Sequence, residues 1–186
     1  MTCIVGIVHD GEVIIGGDSA GSNGEMVTQR ADSKVFTVGP YAFGFTTSYR
    51  MGQLLRYRLD VEAPDTWDVD RFMSTTFVDA VRECLKAGGW ARTTDSDSDD
   101  NEPGGSEAGG TFLVGVAGHL YQIEDDYQVG IAADGYDACG SGYMVALGSL
   151  YATADRDPHE RVRLALEAAA HVTPFVRAPF ATVVTR

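Results

Sequence analysis

The chain is poor in positive charge. Lys and Arg together number 14 against 27 Asp and Glu, for a formal net charge of −13. Nucleic acid requires a basic face to neutralise its phosphates, and an anionic membrane surface requires the same, so neither is expected as the main partner. Cysteine is also scarce. Cys3, Cys84 and Cys139 are scattered, odd in number and without CxxC spacing. That pattern supports neither a disulfide framework nor a zinc site, and it fits a reducing compartment, here the cytoplasm. No apolar run approaches the roughly 20 residues of a membrane-spanning helix. The first residues lack the basic, apolar and small-residue regions of a secretion signal. What remains is 186 residues with 44% hydrophobic and 22% charged content, the composition of one globular domain able to bury a core.

Residues 3–8 and 12–17 are β-branched runs around Asp10-Gly11, a hairpin signal. A Gly/Ser/Asn-rich turn follows over residues 18–24. A second hairpin, 34–38 and 41–45, turns at Gly39-Pro40. Met51, Leu54, Leu55 and Leu59 recur at helical spacing. After Pro64, Asp65 or Thr66 is positioned to cap a second helix with Phe72, Phe77, Val78, Val81 and Leu85 on one face, ending at Gly88-Gly89. Residues 93–110 are acidic, of low complexity and without large apolar groups, and they read as a flexible insert within one domain, 1–186. Strand patterns at 111–117, 119–124 and 127–132 are followed by helices over 141–154 and 159–170 and a last strand over 180–184. Runs of strands alternating with pairs of helices predict an α+β sandwich.

The start of the chain carries the chemistry. If Met1 is removed, Thr2 combines a hydroxyl nucleophile with an α-amine that can serve as its base. An unperturbed α-amine titrates at about 7.7–8.0, so much of it is neutral near pH 7 after a modest shift. Such a residue needs a polarising environment. A buried lysine can supply positive potential and a carboxylate can hold that lysine. Lys34 and Asp18 lie at strand ends and are candidates for these roles. Singly, Lys34 reads more readily as a solvated charge and Asp18 as a turn former.

Thr2-Cys3-Ile4-Val5-Gly6, Gly16-Gly17-Asp18-Ser19 and Ser33-Lys34-Val35-Phe36 resemble the catalytic β-type subunits of the proteasome and the bacterial ring peptidase of the same superfamily, the N-terminal-nucleophile (Ntn) hydrolases. The spacing agrees without a gap once Met1 is discounted. Gly44-Phe45-Thr46-Thr47 resembles the glycine-containing strand end that forms the oxyanion hole, and Gly140-Ser141-Gly142-Tyr143 the Gly-Ser-Gly segment beside the nucleophile. The resemblance covers the chain except for the acidic insert. It implies a four-layer αββα sandwich of two antiparallel sheets flanked by helices. It implies a threonine-type endopeptidase: Thr2 attacks a carbonyl, its amine shuttles the proton, Lys34 assists electrostatically, Asp18 anchors Lys34, the Gly44 N–H binds the oxyanion and Ser141 positions the amine. No metal or other cofactor is required. The partners implied are a peptide or unfolded-protein substrate and further copies of the chain in a ring, with maturation by Met1 removal alone; no unfoldase partner is identified.

One stretch departs from the family. Before the last strand proteasomal β-subunits carry an Asp and then a Ser, where this chain has His171-Val172-Thr173. His171 or Thr173 is available as a substitute, though capping or packing suits either better. By the family offset, Gly21, Asp32, Ala42 and Thr46 approach the specificity pocket, with Ala42 leaving it roomy and Asp32 favouring a basic side chain. Cys3 reads as a buried strand residue. Two other readings stand beside the peptidase: an Ntn amidase or acylase acting on small amides, and a silent scaffold subunit.

Overall fold

Ile4–His9 forms β1 and Glu12–Gly17 forms β2. They are joined through Asp10 and Gly11, both at positive φ (49° and 77°), as a two-residue hairpin turn requires. The computed structural model describes residues 2–65, 67–90, 92–93 and 107–186; most of the acidic insert, Thr66 and Met1 lie outside them. The stretch read as a turn after β2 contains a short hairpin, β3 (Ala20–Ser22) with β4 (Val27–Gln29). Next come β5 (Val35–Val38) and β6 (Tyr41–Phe45), then helix α1 (Tyr49–Tyr57), capped by Ser48. Helices α2 (Val69–Phe72) and α3 (Val78–Ala87) are joined by a π-helical turn, Met73–Phe77. Asp68 caps α2 by accepting from the Arg71 N–H, in place of the expected Asp65.

The π turn has a cause in the sequence. Val69, Met73, Phe77, Val81 and Leu85 are all buried and spaced by four. In an α-helix each step of four residues drifts by about 40° around the axis. The wider π turn at Met73–Phe77 takes back part of the drift and so helps keep the five side chains toward the core.

Two short strands, β7 (Arg92–Thr93) and β8 (Glu107–Ala108), pair across the insert. Then follow β9 (Phe112–Val116), β10 (His119–Ile123), β11 (Val129–Gly130) and β12 (Tyr136–Cys139). The strand expected over 127–132 is thus reduced to two residues, and β12 carried no clear pattern. Helices α4 (Tyr143–Ala152) and α5 (Pro158–Val172) precede the last strand, β13 (Ala181–Thr185). Asp157 caps α5 with Pro158 in its first turn.

The strands form two antiparallel main sheets, β12-β1-β2-β13 and β11-β10-β9-β6-β5. Helices α4 and α5 cover the first and α1 and α3 pack on the second, which gives the four layers αββα. Ile4, Val13, Ile15, Val35, Ala42, Leu113, Leu120 and Cys139 fill the space between the sheets. Each large aliphatic side chain buried there contributes about 1.5–3 kcal/mol. Glycines let the sheets approach: a Cβ on Gly44 would collide with Ile4 and Ile15.

This topology gathers the ends of distant segments. β1 is central and antiparallel to both neighbours, with Ile4 opposite Gly17 on one side and Cys139 on the other. The residues before β1 therefore lie beside those after β2 and those after β12. Lys34 immediately precedes β5 in the facing sheet, above Gly17, where a Cβ would crowd Ile4 and Val35.

Candidate active site

Thr2 is 5% exposed. Its main-chain nitrogen donates to Ser141 Oγ at 3.1 Å. Its carbonyl accepts from Ser141 Oγ at 3.3 Å and from the Gly142 N–H at 3.2 Å. Gly140 allows this approach: it sits at φ +90°, and a Cβ there would run into the Thr2 carbonyl. The segment from Gly140 to Gly142 thus grips the residue ahead of β1 at both its nitrogen and its carbonyl.

Asp18 and Lys34 form a buried ion pair, Nζ to Oδ1 at 2.8 Å. Asp18 Oδ1 also accepts from the Cys3 N–H at 3.1 Å, and Oδ2 accepts from the N–H groups of Ala20 at 2.9 Å and Arg177 at 3.4 Å. The carboxylate therefore ties together the start of β1, the end of β2, β3 and the segment before β13. Burial pulls the Lys34 ammonium below the ordinary lysine range, and the Asp18 charge opposes that shift. Burial, with the Asp18 charge acting in the same sense, pushes the Cys3 thiol up to about 12, which leaves it inert at neutral pH.

Thr2, Ala20, Lys34, Phe45, Thr46, Thr47 and Tyr49 border one small cavity of about 50 Å³. Gly44 is not on it. It lies between the sheets, paired with Val35 and Leu113. The Thr46 N–H donates to Thr111 O at 3.1 Å, and the alternation of the antiparallel ladder directs the Gly44 N–H at Leu113. Thr47, on this cavity, has an N–H that donates to no acceptor among the described residues. Thr47 adopts φ +59°, an uncommon conformation for a β-branched residue. Its Oγ1 holds it there by accepting from the Thr111 N–H at 3.2 Å. Backbone strain of this kind costs about 1–3 kcal/mol and concentrates at functional sites. Residue type alone carries no signal for it.

The residues expected around the specificity pocket separate. Thr46 borders the Thr2 cavity. Ala42 is fully buried between the sheets. Gly21 borders a wider hollow of about 220 Å³ with Met26, Arg30 and Tyr49. Asp32 borders another, of about 60 Å³, with Phe36, Phe45 and Tyr49. The Asp32 carboxylate is held by Arg30 through two bonds of 2.7 and 2.6 Å, which keep it below the usual carboxylate range. Arg30 also lies 4.0 Å over the Tyr49 ring. Asp32 is therefore already neutralised by a neighbour, and Tyr49 is the residue shared by all three hollows.

His171 stands exposed in the last turn of α5, and Thr173 caps that helix through its N–H to Ala169 O. Asp18 bonds to neither of them; from this stretch it is the main chain of Arg177 that contacts the ion pair. A main-chain contact leaves no trace in residue type. Among the described residues no group of His, Cys, Asp and Glu is arranged to hold a metal, and no helix is long and apolar enough to cross a membrane.

No family model and no curated protein matches the chain. Solved structures do. The Thiobacillus denitrificans protein BPH, in complex with epoxomicin, aligns with a TM-score of 0.73 at 22% identity over 99% of this chain and 98% of that one. HslV from Trypanosoma brucei aligns with a TM-score of 0.66 at 19% identity over 98% of both. Anbu, an ancestral beta-subunit, from Yersinia bercovieri aligns at 0.65 and 13% identity over 98% of this chain and 81% of that one. Identities this low establish likeness of fold: the chain has the proteasome β-subunit-like fold of the Ntn hydrolases.

Proposed function

We propose that the chain is a threonine-type peptidase whose nucleophile is Thr2 once Met1 has been removed. Thr2 Oγ attacks the carbonyl carbon of a peptide bond, and the Thr2 amine, held by Ser141, takes the hydroxyl proton. The amine then delivers that proton to the leaving nitrogen, which departs as the C–N bond breaks. Water hydrolyses the resulting ester and restores the hydroxyl. Lys34 supplies positive potential, and Asp18 keeps that cation in place. Thr47, rather than Gly44, offers the N–H for the oxyanion, a type of donor whose loss costs roughly 10²–10³ in rate.

The observation that carries this reading is the single cavity shared by Thr2, Lys34 and the unclaimed Thr47 N–H, with the Thr2 nitrogen held by Ser141. Self-assembly belongs to the same proposal. It is supported by α4, which carries no charged residue yet exposes Met144 (69%) and Tyr151 (77%). It is also supported by a fold neighbour from Pseudomonas aeruginosa, whose structure is a helical assembly of the Anbu complex (TM-score 0.67, 16% identity, 99% of this chain and 81% of that one).

The test is intact mass with and without epoxomicin, beside a Thr2→Ala control. Loss of Met1 and one adduct that the control lacks is the expected result. Retained Met1 with no adduct would overturn the assignment and favour a silent subunit.

A further inference from the structure

Across Thr46 from the Thr2 cavity lies a larger hollow of about 370 Å³. Gly140, which closely approaches the Thr2 carbonyl, is on its rim, and Thr46 lines both spaces. Its one charged lining residue is Glu124. Glu124 accepts only from neutral donors, Gln122 Nε2 and, at 3.4 Å, Thr111 Oγ1. Among the described residues no lysine, arginine or histidine pairs with it. A carboxylate offers about four acceptor positions, so roughly half its capacity is open. Gln122, also in the lining, has its Oε1 buried and bonded to nothing. Buried acceptors left without donors are costly. Glu124 thus leaves acceptor capacity unmet and its negative charge uncompensated, beside the proposed scissile position.

We propose that this hollow is a subsite for a lysine or arginine side chain of the substrate, with Glu124 as the residue that sets the preference; the identity of the ligand as a peptide rests on the peptidase reading. An ammonium or guanidinium supplies N–H donors and a positive charge together. A neutral side chain leaves Glu124 unmatched, and an acidic one is repelled. The charge preference expected earlier of Asp32 is thereby moved to a carboxylate that no arginine already occupies.

The experiment has two arms. In the first, the unmodified chain is given fluorogenic peptides carrying Lys, norleucine or Glu at each position around the cleaved bond, and kcat/KM is compared. In the second, the Thr2→Ala chain is titrated with the same peptides by fluorescence anisotropy. At one position Lys should exceed norleucine by about tenfold, the scale of one charge-assisted hydrogen bond. Glu124→Gln should bring that ratio to near one, and raising the salt concentration should shrink it in the unmutated chain. A ratio near one at every position, or one untouched by Glu124→Gln and by salt, overturns the subsite. Should the chain fail to cleave any peptide while Thr2→Ala still prefers Lys, the peptidase reading falls and the subsite stands.

Discussion

Removing Asp18 should cost far more than removing Lys34, although each breaks the same ion pair. Both side chains are almost wholly out of water, at 0% and 2% exposure. In Lys34→Met the carboxylate keeps its three main-chain donors from Cys3, Ala20 and Arg177, which stabilise its charge. The methionine also fills much of the volume of the lysine stem. In Asp18→Ala the ammonium is stranded and three N–H groups lose their acceptor. Breaking a buried pair from one side costs about 3–5 kcal/mol, and an orphaned buried donor about 1–3 kcal/mol. Partial relaxation and deprotonation of Lys34 limit the sum, so Asp18→Ala should lose about 5 kcal/mol and Lys34→Met about 2 kcal/mol. In a domain of this size each kcal/mol moves Tm by about 2–4 °C, so the two variants should fall by about 10–20 °C and 4–8 °C. The assay is urea and thermal unfolding followed by circular dichroism at fixed protein concentration. The double variant should be more stable than Asp18→Ala alone, because the stranded cation is gone. The pH response has a definite sign. The folded pKa of Lys34 lies below its unfolded value of 10.5, so in that window the unfolded chain binds more protons and stability rises with pH. Without Asp18 the depression deepens, so Asp18→Ala should recover stability as pH rises toward 10.5 more than the parent does. Equal losses in the two single variants, or additive losses in the double, would refute this account of the pair.

Gly140→Ala should abolish activity and lower Tm, because its Cβ meets the Thr2 carbonyl, whereas Gly148→Ala, in open space on α4, should be neutral or stabilise by up to about 1 kcal/mol; equal behaviour of the two in melting curves would contradict this. Thiol titration of the native protein should detect at most one reactive cysteine, the half-buried Cys84, and three after denaturation, since burial raises the pKa of both Cys3 and Cys139. Burial raises the Asp137 carboxyl, so its contribution to stability is complete below its ordinary value near 3.8 and is lost as pH rises through the folded value. Asp137→Asn should therefore stabilise the protein at pH 7 and flatten the rise in Tm on acidification; an unchanged pH profile would count against it.

Much of the fold was legible along the chain because its signals are local. Asp10-Gly11 marks a turn with positive φ, Pro158 marks a first helical turn, and Met51, Leu54 and Leu55 form a helical stripe. Where the signal is weak or shared, reading fails. β12 is a four-residue strand whose Tyr136 and Asp137 are half-buried, so it carries no alternation, yet it forms one wall of the site. The four-residue spacing from Val69 to Leu85 reads as one helix and conceals the π turn that makes the spacing work.

The sequence by itself determined the chemistry on offer: a threonine ahead of a buried strand, an aspartate ending the second, a lysine opening the next hairpin, and Gly-Ser-Gly at the start of a helix. Those are statements about residue type and position in the chain. Only the tertiary structure decided which main-chain groups are spent and which are free. Gly44 and Thr47 are three residues apart in one short segment, but the ladder with β9 directs the N–H of the first and leaves that of the second. Likewise Asp32 and Glu124 are equal as letters, and it is the arginine beside one and the empty acceptor capacity around the other that separate them. Hydrogen-bond pairing and charge compensation are properties of neighbours in space, and those neighbours are set by how two sheets stack.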